Sequence, residues 1–416
     1  NDTYYVYTKK SLAGIQDKTL SDSQSFSSAN NAYFEFSFPW IEGLKYKANL
    51  GLNFRYNGSG SFTGRGIGSG TSDTPSTASL GHSLTTHWTI ENLLTYDRTF
   101  NHKHHLNVVG MYSAEQQKST NTSMSGRDIP ADYFQYYNIG QSLQEITVSP
   151  TGQSYQLWGL ISYMGRLMYT YDDRYMLSAA VRSDASSRLA EVHKWHTYPA
   201  VSVGWNLHNE KYFKSLLNTV DQLKIRLGYG ETSNQAVSPY KTLGSLGTRY
   251  YSYGEEYDLG YYVSSLPNSE LGWEYSTTYN LGVDFSMFKH RFWGTLEAYL
   301  QNTHDVLVNV TLPSTTGASS IMANMGETQN KGFEATLNGL LVSKKDFTWT
   351  AGLNFYSNQN KIIALASGQT QDTSNKWFVG YPISVLYDYV YERLYQENDQ
   401  FIDEFEKGAA PGDIKV

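Results

Sequence analysis

The sequence predicts an all-β protein: a large antiparallel transmembrane β-barrel, of which about 13 strands are visible. Three observations predict it. Over residues 273–287 the odd positions are Trp, Tyr, Thr, Tyr, Leu, Val, Phe and Met, while the even ones are Glu, Ser, Thr, Asn, Gly, Asp and Ser. Period-2 alternation of this length means a strand with one apolar face and one wet face. The strands are also long: crossing a bilayer at a tilt takes about 9–11 residues, against roughly 5–6 for a strand in a soluble protein. Finally, short connections alternate with long ones, as in outer-membrane barrels with short periplasmic turns and long extracellular loops.

The elements follow in order. A strand is expected over 4–9, with Tyr4, Val6 and Thr8 alternating, and then a polar stretch reaches Asn31. Strands over 32–38 and 44–56 flank Pro39-Trp40-Ile41-Glu42-Gly43. In the second, Leu44, Tyr46, Ala48, Leu50, Leu52, Phe54 and Tyr56 alternate with Lys45, Lys47, Asn49, Gly51, Asn53 and Arg55. After a Gly/Ser/Thr loop over 57–84, a second hairpin joins 87–96 to 105–114. A third joins 154–169 to 175–183 across Tyr171-Asp172-Asp173-Arg174. A fourth joins 195–207 to 221–230, and its connection over 209–217 has room for a short helix. A tyrosine-rich loop covers 232–272. The fifth hairpin joins 273–287 to 291–301, the sixth joins 333–341 to 347–355, and a last strand is expected within 384–394. The turns at Pro39–Gly43, Asp172–Asp173, Phe288–His290 and Lys344–Asp346 would face the periplasm. Loops 57–84, 115–153, 232–272 and 302–329 would face outward.

Composition narrows the function classes. The 35 tyrosines suit the aromatic girdles of a barrel, where an amphipathic ring sits at headgroup level. The absence of cysteine excludes a disulfide scaffold, a cysteine–zinc site and a thiol nucleophile. A net charge of −7 without a basic tail argues against nucleic acid as a partner. No run of 18 apolar residues exists to form a membrane helix. Asn1 opens in mid-pattern and residues 408–413 read as a loop leading onward, so a fragment of something longer is expected.

Few motifs carry chemistry. Gly64-Arg65-Gly66-Ile67-Gly68-Ser69-Gly70 lacks the strand, helix and Lys-Ser/Thr ending of a phosphate loop and reads as an extracellular loop. His102, His104 and His105 have no nearby acid to complete a metal set and read as a solvated turn. Asp172-Asp173 supplies turn chemistry. The acidic loop over 398–406, with Asn398, Asp399, Asp403, Glu404 and Glu406, offers oxygens to calcium but lacks regular ligand spacing. No cofactor is otherwise expected. An enzyme would need a nucleophile with a positioned base, and the ten scattered histidines form no such pattern.

Motifs over 160–385 point to one family. Met164-Gly165-Arg166-Leu167-Met168-Tyr169-Thr170-Tyr171-Asp172-Asp173-Arg174-Tyr175, then Val181-Arg182-Ser183-Asp184-Ala185-Ser186-Ser187-Arg188, resembles a segment of SusC/RagA-type TonB-dependent transporters. Tyr198-Pro199-Ala200-Val201-Ser202-Val203-Gly204-Trp205 is similar to their "FPSxSxGW". Leu223-Lys224-Ile225-Arg226-Leu227-Gly228-Tyr229-Gly230 with Asn234-Gln235 is similar to "LKxRxSYGxTGNQ". Trp273-Glu274 with Asn280-Leu281-Gly282, and Leu312-Pro313-Ser314-Thr315-Thr316-Gly317 followed by Asn330-Lys331-Gly332-Phe333-Glu334, continue the series. Ala185 and Ser233 stand where the family usually has glycine.

The resemblance implies an outer-membrane barrel of about 22 strands with an N-terminal plug and a TonB box. Neither the plug nor the box is seen in this chain, so all of 1–416 reads as barrel. It implies import of oligosaccharides, or in some members peptides, with a SusD-like surface lipoprotein as lid and energy relayed by TonB–ExbB–ExbD. Outer-membrane lipid, lipopolysaccharide included, and the barrel assembly machinery are the other partners implied. The alternative is a passive porin or structural barrel without a plug. The candidates facing the lumen are Arg55, Arg166, Arg182, Arg226, Glu274, Asp284 and Glu334, from the polar phase of the strands. Tyr250, Tyr251, Tyr253, Tyr261 and Trp377 are candidates for stacking on sugar rings.

Overall fold

A computed structural model describes residues 18–67, 74–148, 152–216, 219–235, 237–254, 256–318, 320–365, 368–399 and 408–415. The strand expected over 4–9 lies outside them. Eight strands come first: β1 (Thr19–Ser37), β2 (Leu44–Thr63), β3 (Thr77–Phe100), β4 (His104–Arg127), β5 (Gln153–Tyr171), β6 (Tyr175–Ser186), β7 (Trp195–Asn206) and β8 (Val220–Asn234). A hairpin of β9 (Ser245–Tyr253) and β10 (Glu256–Ser265) stands apart. Then come β11 (Glu274–Met287) and β12 (Phe292–His304), a small hairpin of β13 (Leu307–Thr311) and β14 (Ser320–Asn324), and finally β15 (Glu327–Lys344) and β16 (Phe347–Ala364). Twelve strands form one antiparallel sheet in the order β1-β2-β3-β4-β5-β6-β7-β8-β11-β12-β15-β16. All six expected hairpins pair as read.

Cross-strand partners share a face, so the register carries one strand's phase across the sheet. The rows Leu50–Ile90, Tyr112–Tyr163 and Leu281–Leu227 lie on the outer, apolar face. Two aromatic belts bound this face. At the turn end Tyr175 stacks between Tyr171 and Trp205, with ring centroids 6.4 and 6.3 Å away. At the other end Tyr163 contacts Tyr112 at 5.3 Å and Trp195 at 6.0 Å, and Phe333 meets Phe355 at 6.3 Å. Trp195 and Trp205 stand ten residues apart on β7. At about 3.3 Å per residue and about 40° of tilt, that spacing matches a hydrocarbon band about 25 Å tall.

The turns are tight where the sequence requires it. Asp172 and Asp173 take φ of 50° and 52°, the left-handed pair that a two-residue hairpin needs and that Asp tolerates. Gly43 has φ 87°, and a Cβ there would collide with the Asp97 carbonyl. The connection over 207–219 is longer than its fellows and holds a 3-10 turn (Lys211–Leu216). It is folded down as a cap. Glu210 accepts from Tyr175 Oη at 2.6 Å and Trp205 Nε1 at 3.1 Å, and Asn206 and Asn209 both donate to the Asp173 carbonyl. On the opposite side the β6–β7 link, 187–194, is short. The alternation of loop length is therefore looser than the sequence suggests.

Three expectations need correction. The polar stretch drawn to Asn31 and the loops drawn over 57–84 and 115–153 are partly strand, because β1 starts at Thr19, β2 runs to Thr63, β3 starts at Thr77 and β4 reaches Arg127. Above the lipid band polar residues interrupt the apolar phase and blur the alternation, yet the backbone ladder continues. The loops over 232–272 and 302–329 contain the hairpins β9–β10 and β13–β14. Residues 384–394 form no strand except Arg393–Leu394, which pair with Ile414–Lys415. Gly380, Tyr381 and Ile383 bond to Ile362 and Asn360 on β16, but beyond them the Tyr/Val alternation pairs with no strand of the main sheet, and Leu386, Tyr389 and Val390 stand exposed. The main sheet has 12 strands among the described residues, and of the about 13 expected the one over 4–9 lies outside them.

The outer face of the strand extensions is covered by the chain itself. Ile129, Tyr136 and Ile139 from the β4–β5 loop pack on Phe62 and Ala78, with Leu20, Leu80, Met124 and Phe134 around them. Ser76 Oγ locks the loop by accepting from the Ile129 N–H at 2.8 Å and donating to the Ile129 carbonyl. Apolar surface above the lipid would otherwise meet water.

The two faces predict opposite responses to charge. Leu167→Arg, at mid-band on the outer face of β5, should cost about 2–4 kcal/mol. The same charge placed on the inner face, as Met168→Arg, should cost well under half of that. Denaturant unfolding of the full-length protein in lipid vesicles reads both values, and equal costs would mean the faces are assigned wrongly.

Candidate functional site

The inner face is where the structure gathers polar side chains. On β8, Arg226 lies beside Asp284 of β11 in a bidentate pair, Nε–Oδ2 at 2.8 Å and Nη2–Oδ1 at 3.0 Å. Its Nη2 also donates to Glu297 Oε1 of β12 at 2.6 Å, and Thr295 Oγ1 donates to Asp284 at 3.3 Å. Register explains the convergence: Asp284 faces Lys224 on β8 and Thr295 on β12, so three strands present the same phase at one level. Two carboxylates share one guanidinium, and Glu334 stands directly across from Glu297 without an ion pair among the described residues. The patch carries surplus negative charge.

A second knot lies higher, on β5–β7. Arg182 Nε donates to Asp184 Oδ1 at 2.8 Å and its Nη2 to Ser162 Oγ at 3.1 Å. Tyr198 donates its hydroxyl to the other Asp184 oxygen. Asp184 and Ser162 are buried, so this carboxylate is held entirely by protein partners. Arg55 and Arg166 sit on the same inner face, opposite Thr85 on β3 and Ala180 on β6 respectively, without acidic partners among the described residues. Glu274 lies at the rim. It accepts from Asn234 Nδ2 at 3.3 Å and from the Leu307 N–H at 3.0 Å, and so anchors the start of β13.

The tyrosine group divides. In β9–β10, Tyr250 faces Leu259 and Tyr261 faces Thr248, which places both on one side of the hairpin with Tyr257. These three rings are 65%, 68% and 76% exposed. Tyr251 is on the other side, its ring laid across Gly260. The Tyr253 backbone pairs with Glu256. Trp377 pairs with Asp372 in a short ladder and lines a cavity of about 260 Å³ with Asn309, Gln369, Gln371 and Asp372. A flat ring beside amides and a carboxylate suits a polyhydroxylated ring, whose C–H face stacks while its hydroxyls find partners. The rim and the wall are thus separate candidate regions.

Sequence reasoning missed His87 and Glu115: His87 lies across from Asn53, and Glu115 stands on β4 one same-face step from Gln117, the partner of His87. His87 Nε2 lies 3.3 Å from Glu115, and its ring meets Trp158, over which Arg188 stacks at 3.9 Å. These residues share the inner phase of β2–β5, a signal visible only once the register is known. His104 meets Tyr169 and His105 meets Asp97, and among the described residues no three acids or histidines are grouped to hold a metal. In the acidic loop Asp399 is engaged by Arg393, at 2.5 and 2.6 Å, while Asp403, Glu404 and Glu406 lie outside the described residues.

Comparison with known proteins follows the same lines. Residues 1–399 match the family described as TonB dependent receptor-like, beta-barrel. The chain is 29% identical over 382 residues to TonB-dependent receptor P3 of Formosa agariphila, covering 88% of this chain and 37% of that protein. It is 33% identical over 270 residues to TonB-dependent receptor SusC of Bacteroides thetaiotaomicron, covering 59% and 26%. The chain thus spans between about a quarter and somewhat over a third of the length of the curated relatives it matches. A solved structure titled the RagAB peptide transporter superposes with a TM-score of 0.78 at 21% identity, over 88% of this chain and 40% of that one, a likeness of fold.

Two predictions follow. In a double-mutant cycle, Arg226→Ala and Asp284→Ala should couple by about 1 kcal/mol, since the groups are a third exposed and partly screened. Arg226→Lys should not restore the coupling, because an ammonium cannot make the fork. Purely additive losses would show that the pair holds nothing. Beyond the sheet, Arg393 holds the Asp399 carboxyl down at about 2. A depressed acid contributes stability above its unfolded value of about 3.9, lost as pH falls through the folded one. Protection of the Arg393–Leu394 and Ile414–Lys415 pairing in hydrogen exchange should therefore persist at pH 4 and fail near pH 2. Failure already at pH 4 would remove Asp399 from the account.

Proposed function

The chain belongs to the TonB-dependent receptor-like β-barrel family, and from that premise we propose that it forms part of the wall of an energised importer of oligosaccharides. Its place is the outer membrane, and the family is one of transporters and receptors rather than enzymes. The sidedness of the fold supports the reading. Tight turns lie at one end, and the folded hairpins carrying Tyr250, Tyr257 and Tyr261 and the Trp377 cavity lie at the other. The single observation that carries it is that cavity, an aromatic ring set among Asn309, Gln369, Gln371 and Asp372 on the extracellular side. Amides both donate to and accept from hydroxyls, and a carboxylate accepts from them. One relative bears the name SusC, in keeping with a SusD-like lipoprotein closing over these hairpins and TonB supplying the energy. The RagAB likeness, titled a peptide transporter, makes peptide the second cargo to test.

Uptake by full-length protein in outer membranes tests this reading. Oligosaccharide accumulation should cease when a protonophore collapses the inner-membrane gradient, while a plugless porin would keep passing sugar. Trp377→Ala should weaken oligosaccharide binding about fivefold, the worth of one ring stack of about 1 kcal/mol. Unaltered sugar binding in this variant together with saturable peptide binding would give the site to peptides.

A further inference from the structure

We propose that the lipid-facing wall between β3 and β7 holds one phosphorylated saccharolipid of the outer leaflet. An acyl chain would lie in a groove over Gly159, and a phosphate against Lys194 and Lys118. This inference rests on the outer-membrane placement and is independent of the cargo.

The groove follows from the register. Trp88, Gln116 and Gly159 form one row across β3, β4 and β5, and Ile90, Ala114, Ile161 and Ala185 form the next row toward the periplasm. Both rows lie on the outer face. Ala114, Gly159 and Ala185 bring little or no side chain, so the wall is hollowed between Trp88 and Ile161. The hollow has a volume of about 460 Å³ and is continuous with the apolar band. It lies level with the upper aromatic belt, since Trp195 pairs with Ala185.

Its upper end is cationic. Lys194 lines the groove. Lys118 is one row above Gln116, faces Leu157, another lining residue, and places its ammonium 5.6 Å from the Tyr155 ring centroid. Lys194 meets the Glu191 carboxylate, which is 86% exposed, and so exposed an ion pair is weak enough for a phosphate to displace. Gln116 and Ser187 add neutral polar groups beside the same hollow. An apolar slot with Lys194 in its lining and Lys118 beside it, opposite the lining residue Leu157, is complementary at headgroup height to an acyl chain ending in a phosphorylated headgroup. Neutral lipid would offer no counter-charge to Lys118, which has no ion pair among the described residues, and would leave Lys194 with Glu191.

Retention of lipid by the delipidated full-length protein, read by native mass spectrometry, tests the assignment. The probes are diphosphoryl lipid A, its dephosphorylated form and inorganic phosphate. Wild type should retain diphosphoryl lipid A about tenfold better than the dephosphorylated form, and Lys118→Gln/Lys194→Gln should lose that preference. Ala114→Phe, which fills the slot from the lipid side, should lower retention of both lipids. Lys224→Gln, on the inner wall, should change neither. Heat-modifiable migration on gels confirms that each variant is folded. Equal retention of the two lipids by wild type, unchanged retention in both outer-face variants, or displacement of lipid by millimolar inorganic phosphate would overturn the proposal. Because no reading depends on transport, these outcomes are separate from failure of the importer reading.

Discussion

Everything in this molecule depends on keeping backbone hydrogen bonds out of the hydrocarbon. In lipid an unpaired N–H or C=O has no water to turn to, so a strand can cross only inside a ladder. The sheet meets this demand from β2 through β15, where each strand has a partner on both sides. The outermost strands, β1 and β16, have a partner on one side only among the described residues. An open edge of that length leaves a row of N–H and C=O groups that a bilayer cannot satisfy.

Once the ladder is fixed, side-chain chemistry divides by phase. Outward residues need only be apolar and, at two levels, aromatic. Tyr171, Tyr175 and Trp205 touch because register places them in one row, and Tyr112 pairs directly with Tyr163, while Trp195 reaches Tyr163 from the neighbouring same-face row, opposite Ala185. Inward residues meet water and are free to carry charge. Arg226 can therefore serve Asp284 and Glu297 at the same level of the barrel that holds Leu281 and Leu227 on the opposite face. The same sheet is greasy and charged within one thickness, which explains why mean composition looks water-soluble.

Much of this was legible in the sequence because alternation and turn chemistry are local signals. Trp273 to Met287 declares its phase residue by residue, and Asp172-Asp173 declares its turn. Strand ends were not legible. Asn57 to Thr63 reads as a Gly/Ser loop, although it is strand, since what holds it is the ladder to β1 and β3 and the cover supplied by Tyr136 and Ile139 from a distant loop. The inverse error at 384–394 has the same root: alternation without a pairing partner makes no strand. The candidate wall residues come from the polar phase of their strands, but which of them meet is a matter of register. Arg226, Asp284 and Glu297 come from three strands, and no local pattern joins them.

The upper part of the β7–β8 seam shows how the sheet handles a place where the ladder fails. Pairing between these strands stops at Ala200–Gly230, although β7 continues to Trp195 on the β6 side and β8 to Asn234 on the β11 side. Pro199, the next residue, brings no N–H to the ladder. The strands part there, and side chains take over from backbone. His196 Nε2 meets Glu231 at 2.7 Å across the gap, and Tyr198 closes on Asp184. Leu189, Val237, Leu271 and Trp273 pack the wedge above, and Trp273 Nε1 donates to the Lys194 carbonyl at 2.9 Å. A ladder can end only where something else satisfies and buries what it leaves. Here that something is a compact apolar wedge at the rim, above the lipid band, where a backbone gap is tolerable and a loop can reach it. The placement of Pro199 near the extracellular end of β7, rather than at mid-band, follows from the same rule that closes the barrel.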